Sequence, residues 1–418
     1  MPAMRPASGP RPSPQAAYAQ WIDACASVGW RGTPTTEQVP VRDGLGRVTA
    51  AAVHARWPAP RSACAAMDGI AIKAAPTAAG VWQLAASSFA WVDTGDPMPA
   101  GMDTVVERER VQLGADGSAQ ITGPAPHGLN VRATGEDFPA GELLIPPGHR
   151  LCPADLAAAA AAGRTTLQVA RRPVAAIIPT GDEIRPVGSA LGPGDVTDSN
   201  SLLLASRAGE TGARSLVSDV QPDDPDAITS EIRHAARAAD IVLVIAGSSA
   251  GRSDHTAAVL ARAGGLAVRG VAVRPGHPVL LGYVLPGRAR DGQGATAVPL
   301  IGIPGYPLAA AVIFELFAVP LLVTIQGRPP PDRLWQRAQL ACDWVSSADV
   351  EDWVPVSLAS APASEQATYP VVATPGRRGA GSISRLMRAH AWWPIPIGQG
   401  KFARGELIDV QPMPGALA

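Results

Sequence analysis

Two short apolar runs, each closed by a loop rich in small or acidic residues, most constrain how this chain can fold. Residues 174–178 end at Pro179-Thr180-Gly181-Asp182-Glu183, and residues 241–245 end at Ala246-Gly247-Ser248-Ser249-Ala250-Gly251. Helical patterns separate these runs from further predicted strands; the helices are predicted over 199–212, 225–239 and 256–263, and the strands over 215–220, 279–284 and 299–303. Strands that alternate with helices at this spacing predict a parallel α/β sheet, which we assign to residues 173–327.

The rest of the chain predicts β structure on either side of that domain. In residues 61–139, short β-like runs alternate with Gly, Pro and Asp turns, which predicts a small β-module. Residues 328–418 predict a compact, barrel-like β domain. Segments 15–60 and 140–172 lack a core of their own, so we expect them to form one discontinuous N-terminal linker domain that contains the β-module as an insertion. Residues 1–14 are expected to be a disordered tail.

Charge and cysteine spacing exclude several classes of protein. The 418 residues include 35 basic and 36 acidic side chains, a formal net charge of −1, which argues against a protein that coats nucleic acid or an anionic membrane. The four cysteines are far apart, so a disulfide framework or a structural zinc site is not expected. The residues before Tyr18 lack the apolar core of a secretory signal, which favours a cytoplasmic location.

One apolar run, residues 306–325, reaches the length of a membrane span. Glu315 lies in the middle of this run and Pro320 follows it. No second run of this kind is present in the sequence. We therefore predict a helix buried inside the protein and no membrane association.

Candidate chemistry lies in the loops that follow the predicted strands, because ligands of open parallel sheets bind beyond the carboxyl ends of the strands. The Gly247–Gly251 loop, followed by a helix, can present backbone N–H groups to a phosphate. Glu183 and Asp254 would stand at the same edge, and two carboxylates beside a phosphate typically hold Mg²⁺. Arg274 can meet an oxyanion.

Each of these features also has a structural interpretation. The Gly/Ser loop can be a tight turn, and Glu183 can complement a helix dipole. The run Asp223-Asp224-Pro225 is most simply a helix cap. Arg274 can be a solvated surface charge.

Several motifs in fixed order resemble those of one family, the MoeA-type molybdopterin molybdenumtransferases, which are related to the C-terminal domain of gephyrin. The motifs are Ala66-Met67-Asp68-Gly69-Ile70-Ala71, Thr94-Gly95-Asp96-Pro97-Met98-Pro99-Ala100-Gly101, Gly135-Glu136-Asp137, Thr180-Gly181-Asp182-Glu183, Asp198-Ser199-Asn200, Asp223-Asp224, the Gly/Ser loop ending at Asp254, Arg274-Pro275-Gly276, Pro304-Gly305-Tyr306-Pro307, Gly381-Ser382-Ile383-Ser384 and Gly405-Glu406-Leu407. The resemblance spans residues 18–418. Ile70, Tyr306 and His277 depart from the usual Tyr, Asn and Lys, and they are similar to a variant branch with P-G-Y-P and A-G-S-S-A-G motifs.

The resemblance implies a fold and a reaction. It implies a homodimer with a MogA-like three-layer α/β/α domain, in which the linker domain takes part in dimerisation. Each site would lie between that α/β domain and the β-module of the other subunit. The implied reaction inserts molybdenum from molybdate into adenylylated molybdopterin, and AMP leaves with the help of Mg²⁺. The implied partners are a MogA-type adenylyltransferase and recipient molybdoenzymes.

The resemblance also implies roles for individual residues. The catalytic set would be Asp68, Thr94, Asp137, Glu183 and Asp254, with Glu183, Asp224 and Asp254 at the Mg²⁺. The substrate-binding set would be Thr180, Gly181, Gly247, Ser248, Ser249, Gly251, Arg274, Pro304 and Pro307. Other functions stay open: a protein that binds or delivers the cofactor without catalysis, a tungsten-specific insertase, a scaffold, or an adenylyltransferase.

Overall fold

The computed structural model describes residues 11–74, 80–246, 250–285, 296–329, 334–360, 369–376, 379 and 381–414, and for residues 250–255 only the backbone. The chain divides into two compact units. One unit is Thr36–Ala170, and the other combines Met1–Thr35 with Arg171–Ala418.

A six-stranded sheet forms the centre of the larger unit. In spatial order its strands are Arg214–Val217, Val174–Pro179, Ile241–Ala246, Val298–Pro304, Leu280–Val284 and Gly264–Arg269. The first four run parallel, as predicted, whereas the last two are antiparallel to their neighbours. Gly264–Arg269 was not predicted, because its Gly-Gly start weakens the strand pattern.

Helices cover both faces of this sheet and give the predicted three layers. The helices of the unit are Pro14–Ser27, Asn200–Glu210, Pro225–Ala235, Ala250–Ala263, Pro307–Ile313, Val319–Ile325 and Ile383–Arg388. One apolar core lies between the sheet and the helices Pro14–Ser27, Asn200–Glu210 and Pro307–Ile325. A second core lies on the opposite face, under Pro225–Ala235 and Ala250–Ala263.

The N-terminal helix, which we expected in the linker domain, packs on the central sheet. Ser13 caps Pro14–Ser27, and the fully buried Trp21 donates its indole N–H to the carbonyl of Gly282, 2.6 Å away in the central sheet. The carbonyl of Pro12 accepts from the amide of Ala272. This helix and the residues just before it therefore belong to the α/β unit, because an amphipathic helix this short is stable only against such a core.

The apolar run predicted to be a buried helix is one. Among the described helices, Pro307–Ile325 is the one long and apolar enough to cross a membrane, and 83% of its most apolar stretch is buried in the protein. A wider π turn, Phe314–Ala318, precedes Pro320, which has no N–H to continue the α ladder. Glu315 pairs with Arg207, with Nη2 and Oε2 3.1 Å apart.

A closed five-stranded barrel forms the C-terminal part of the same unit and confirms the barrel-like prediction. Its strands are, in order around the barrel, Glu351–Ser360, Val371–Pro375, Gln336–Leu340, Leu407–Pro412 and Ala391–Ile395, and the last pairs with the first. The short strand Val273–Arg274, which follows the sheet strand Gly264–Arg269 in the chain, pairs in parallel with the start of the barrel strand Glu351–Ser360. Two smaller pairs are Ile184–Arg185 with Val196–Thr197, and Trp344–Val345 with Lys401–Phe402.

The smaller unit consists of short antiparallel strands and the helix Pro153–Ala161. Its two-stranded pairs are Thr36–Pro40 with Thr166–Ala170, Val53–His54 with Leu143–Ile145, and Cys64–Ala65 with Val131–Arg132. Its three-stranded sheets are Phe89–Val92, Gly69–Ile72 and Thr104–Glu107, and Val81–Leu84, Ala119–Thr122 and Val111–Leu113. Segments that flank residues 61–139 thus pair with each other, while the boundaries of the predicted insertion stay a prediction.

Candidate functional site

A cavity of about 400 Å³ lies where loops of the α/β sheet meet the C-terminal barrel. Residues 274–278 and the segment from Pro304 to Ala309 form one wall, and Trp344, Asp352–Pro355, Gly376, Gly379 and Arg385 form the other. Pocket walls that are mostly apolar, with a few convergent charged groups, are typical of small-molecule sites. Of the predicted residues, Arg274 and Pro304 line this cavity.

Gly276 makes the tight wall of the cavity possible. Its φ of +114° is a conformation that side-chain-bearing residues rarely adopt. A Cβ at this position would also lie 2.7 Å from Cδ1 of Ile313, on the buried helix. The loop can therefore pass this closely over the helix only with glycine.

Arg274 does not present a free charge to the cavity. Its guanidinium donates to both oxygens of Asp352 in the barrel, with Nε 3.2 Å from Oδ1. Asp352 is 5% exposed and accepts a further hydrogen bond from Ser346. These hydrogen bonds raise the pKa of Arg274, and the pair satisfies the charge of both side chains. We expected Arg274 to attract an oxyanion, and the structure instead gives it a buried carboxylate as counterion.

The loop between Pro304 and Pro307 is held from two sides. Pro304 ends a central strand, and Pro307 starts the buried helix, as its fixed φ favours. Asn200 donates Nδ2 to the carbonyl of Gly305 at 2.7 Å, while its Oδ1 is buried with no hydrogen-bond partner among the described residues. Tyr306 lies half exposed at the cavity, with its ring against Gly381.

The Thr180–Glu183 loop sits at the carboxyl edge of the sheet, as predicted. The hydroxyl of Thr180 donates to the carbonyl of Ile245, 2.9 Å away, and so connects the ends of two strands. Gly181 has φ of +138°, and a Cβ there would lie 2.9 Å from Oε2 of Glu183. The amide of Gly181 donates to Gln221, which ties this loop to the one before the helix Pro225–Ala235. Thr180 and Gly181 therefore anchor the loop that carries Glu183.

Asp224 caps a helix, in agreement with the structural interpretation of its motif. Its Oδ1 accepts from the amide of Asp226, 3.0 Å away, at the start of Pro225–Ala235. Within the described part of the chain, no three His, Cys, Asp or Glu side chains converge on a point that can hold a metal ion. The described residues do not by themselves form the expected Mg²⁺ site.

The remaining predicted loop lies mostly outside the described residues. Gly247, Ser248 and Ser249 are not described, and Gly251 and Asp254 are described only as backbone of the helix Ala250–Ala263.

In the smaller unit, the structure brings Asp68 and Thr94 together. The hydroxyl and the amide of Thr94 both donate to Oδ1 of Asp68 at 2.7 Å. These bonds, with the nearby Arg108, hold the pKa of Asp68 below its usual range. Asp137 is exposed on a turn, and its backbone amide donates to the carbonyl of Ala59.

Ile70, which departs from the usual motif, is fully buried in the core of the smaller unit. Isoleucine in place of the usual tyrosine therefore affects packing of this core.

Sequence reasoning missed Asp352, Trp353 and Arg385 as residues of the cavity. Asp352 and Trp353 lie at the start of the barrel strand Glu351–Ser360, which was predicted only as part of the β domain, and Arg385 follows a motif that was assigned to the fold. The one signal for Arg385 was its position next to the Gly381–Ser384 motif.

Comparison with known proteins covers nearly the whole chain. Three family models match in sequence order: the MoeA N-terminal region (domain I and II) over residues 13–163, a probable molybdopterin binding domain over 176–324, and the MoeA C-terminal region (domain IV) over 337–413.

Individual relatives agree with these matches. The molybdopterin molybdenumtransferase of Nostoc sp. is 28% identical over 406 residues, which cover 91% of this chain and 89% of that protein. The enzyme of the same name from Bacillus subtilis is 26% identical over 400 residues, covering 90% and 89%. The crystal structure of the molybdopterin biosynthesis moeA protein from Pyrococcus horikoshii has a TM-score of 0.75 at 27% identity, and the match covers 96% of this chain and 98% of that one.

Proposed function

Because this chain belongs to the MoeA family, we propose that it is an enzyme that inserts molybdenum into molybdopterin during biosynthesis of the molybdenum cofactor. The observation that carries the proposal is the cavity between the 274–278 loop, the Pro304–Ala309 segment and the barrel. It offers apolar and aromatic walls to a flat heterocycle, and basic side chains stand in its wall. A volume of about 400 Å³ suits a small molecule.

The finer reaction is molybdenum transfer from molybdate to adenylylated molybdopterin, with release of AMP. Cleavage of a phosphoanhydride needs positioned groups that stabilise negative charge more than it needs a covalent nucleophile. Among the described residues, basic side chains line the cavity, and one of them, Arg385, has no described carboxylate partner. We assign Glu183, which follows Gly181 in the same loop, to the carboxyl edge of the sheet.

Mg²⁺ stays a prediction. Since the described carboxylates do not converge and Asp224 is committed to its helix, no step here is assigned to the metal. Asp68 is held ionised by Thr94, which supports a role for this carboxylate as a fixed negative charge or acceptor. Asp137 is proposed alongside it.

For the assembly, we propose a homodimer in the cytoplasm that receives its substrate from a MogA-type adenylyltransferase and passes the product to recipient molybdoenzymes. No role with nucleic acid or membranes is proposed.

The experiment that tests the function is AMP release by the purified protein from adenylylated molybdopterin, measured with molybdate, with tungstate, and with neither. Release that molybdate stimulates, and that Glu183→Ala abolishes, supports the proposal. Asp226→Ala, a change at an exposed helix position, serves as the matched control and should retain release. Tight binding of the pterin without release under either oxyanion would contradict it and favour a delivery protein, and release with tungstate alone would indicate a tungsten insertase.

A further inference from the structure

Three basic side chains line the cavity: Arg274, His277 and Arg385. An oxyanion in an apolar cavity needs a positive partner whose charge is not already satisfied. The three side chains differ in this respect.

Arg274 is satisfied within the protein. Its Nε and Nη2 both donate to the Asp352 carboxylate, so this edge of the guanidinium already holds a bidentate contact. An incoming anion would also be repelled by the Asp352 carboxylate at the same spot.

His277 contributes little charge near neutral pH. Partial burial and the nearby Arg11 cation lower the pKa of its imidazole below the usual value. The ring is therefore mainly neutral at pH 7.

Arg385 is different. Its aliphatic stem packs over Gly376, with Cδ 3.7 Å from the position a Cβ would occupy there, and its Nη1 donates to the carbonyl of Gly379 at 3.0 Å. No carboxylate among the described residues pairs with it. Partial burial lowers the pKa of this guanidinium. Arg377 and Arg378, which precede Gly379, lie outside the described residues.

We propose that Arg385 is the residue of this cavity that recognises the tetrahedral oxyanion, a role that the sequence had predicted for Arg274. The inference rests on the proposed function and names a specificity-determining residue for it. The ligand chemistry is a tetrahedral oxyanion with two or more accepting oxygens, which is shared by molybdate and by the phosphate groups of an adenylylated pterin. The Gly379 carbonyl orients the guanidinium and leaves its other N–H groups for a bidentate contact.

The test compares Arg385→Ala and Arg385→Lys with Arg388→Ala, a control on the same short helix whose side chain is exposed. Loss of one charge-assisted bidentate contact is expected to weaken anion use about 10- to 100-fold in Arg385→Ala. Arg385→Lys should recover part of this, because an ammonium keeps the charge but not the fork. Arg388→Ala should match the unaltered protein, and thermal unfolding verifies that all variants fold.

Separate measurements of KM for molybdate and for the adenylylated pterin show which of the two substrates supplies the oxyanion. A rise in KM for molybdate alone assigns Arg385 to the metal oxyanion, and a rise for the adenylylated pterin alone assigns it to a phosphate; each supports the proposal. Unchanged constants for both substrates in a folded Arg385→Ala protein would overturn it.

A second readout does not depend on turnover: equilibrium dialysis of molybdate and of AMP against the full-length protein. If the unaltered protein releases no AMP, the proposed function fails. Weaker binding of either anion to Arg385→Ala would still support the anion site in that case, and equal binding would reject it.

Discussion

Arg274 and Asp352 form an ion pair that joins the α/β sheet to the C-terminal barrel. The two residues are opposite each other in a parallel pair of strands. Asp352 is almost fully buried and also accepts from Ser346 at 2.7 Å. The pair therefore closes one end of the cavity and fixes how the loop at residue 274 approaches the barrel.

Removing the cation of this pair is expected to destabilise the barrel. Arg274→Ala leaves the buried Asp352 carboxylate with Ser346 as its remaining side-chain partner. The cost should be about 2 kcal/mol, below the full penalty for a buried pair because Arg274 is itself partly exposed. Urea unfolding followed by tryptophan fluorescence measures this change.

The matched control is Arg337→Ala, which breaks an exposed barrel pair with Asp409. It should change stability by less than about 0.5 kcal/mol. Equal effects of the two substitutions would contradict a special role for the Arg274–Asp352 pair.

The pKa of Asp68 depends on Thr94. Thr94→Val removes the hydroxyl donor, so the pKa of Asp68 should rise toward its ordinary value and the acid limb of the pH–activity profile should move to higher pH. Thr94→Ser keeps the donor and should leave the limb in place. A control is Ser118→Ala, which removes a similar donor from Asp116 in an exposed hairpin and should not move the profile. An acid limb that stays put in Thr94→Val would show that Asp68 ionisation does not limit activity.

His277 should make the folded state less stable in acid. Because its pKa is lowered on folding, the unfolded chain binds the proton more readily, and stability is lost as pH falls below the ordinary histidine range. His277→Gln should therefore lose less stability than the unaltered protein between pH 7.5 and pH 5. His234→Gln, on an exposed helix face, is the control and should follow the unaltered protein. Parallel losses in His277→Gln and the unaltered protein would refute this expectation.

Gly276 should tolerate no side chain. Gly276→Ala combines a strained φ with a contact 2.7 Å from Ile313, so it should cost about 2 kcal/mol or more and weaken substrate binding in the cavity. Gly188→Ala has a comparable φ of +89° but open space around it, and it isolates the backbone part of the cost. Ile313→Val should relieve part of the loss if the clash dominates. The melting temperatures of Gly276→Ala, Gly188→Ala, Ile313→Val and the double variant Gly276→Ala/Ile313→Val show whether the backbone conformation or the clash dominates the loss.

A shared site in the proposed homodimer predicts complementation. Asp68→Ala and Glu183→Ala are each expected to be inactive, while a mixture should regain part of the AMP release as heterodimers form. Differently tagged chains allow those heterodimers to be isolated. Heterodimers without activity would exclude a site built from two subunits.

Short-range patterns predicted much of the α/β unit. The runs at 174–178 and 241–245 form central strands because a continuous apolar run is buried when both faces of a parallel sheet are covered by helices. The pattern did not predict that Leu280–Val284 and Gly264–Arg269 turn back antiparallel, since direction depends on the length and path of the connections. Nor did it show that Pro14–Ser27 packs on this sheet.

The sequence by itself determined the family, the three-layer α/β domain, the barrel and the burial of the helix Pro307–Ile325, because these follow from ordered motifs and from the periodicity of apolar residues. Only the tertiary structure decided which charges in the cavity are satisfied. Arg274 and Asp352 are 78 residues apart, and nothing in their local sequence indicates that they meet. Whether a cation is available to a ligand depends on such long-range partners and on burial, and both arise only when the sheet and the barrel pack together.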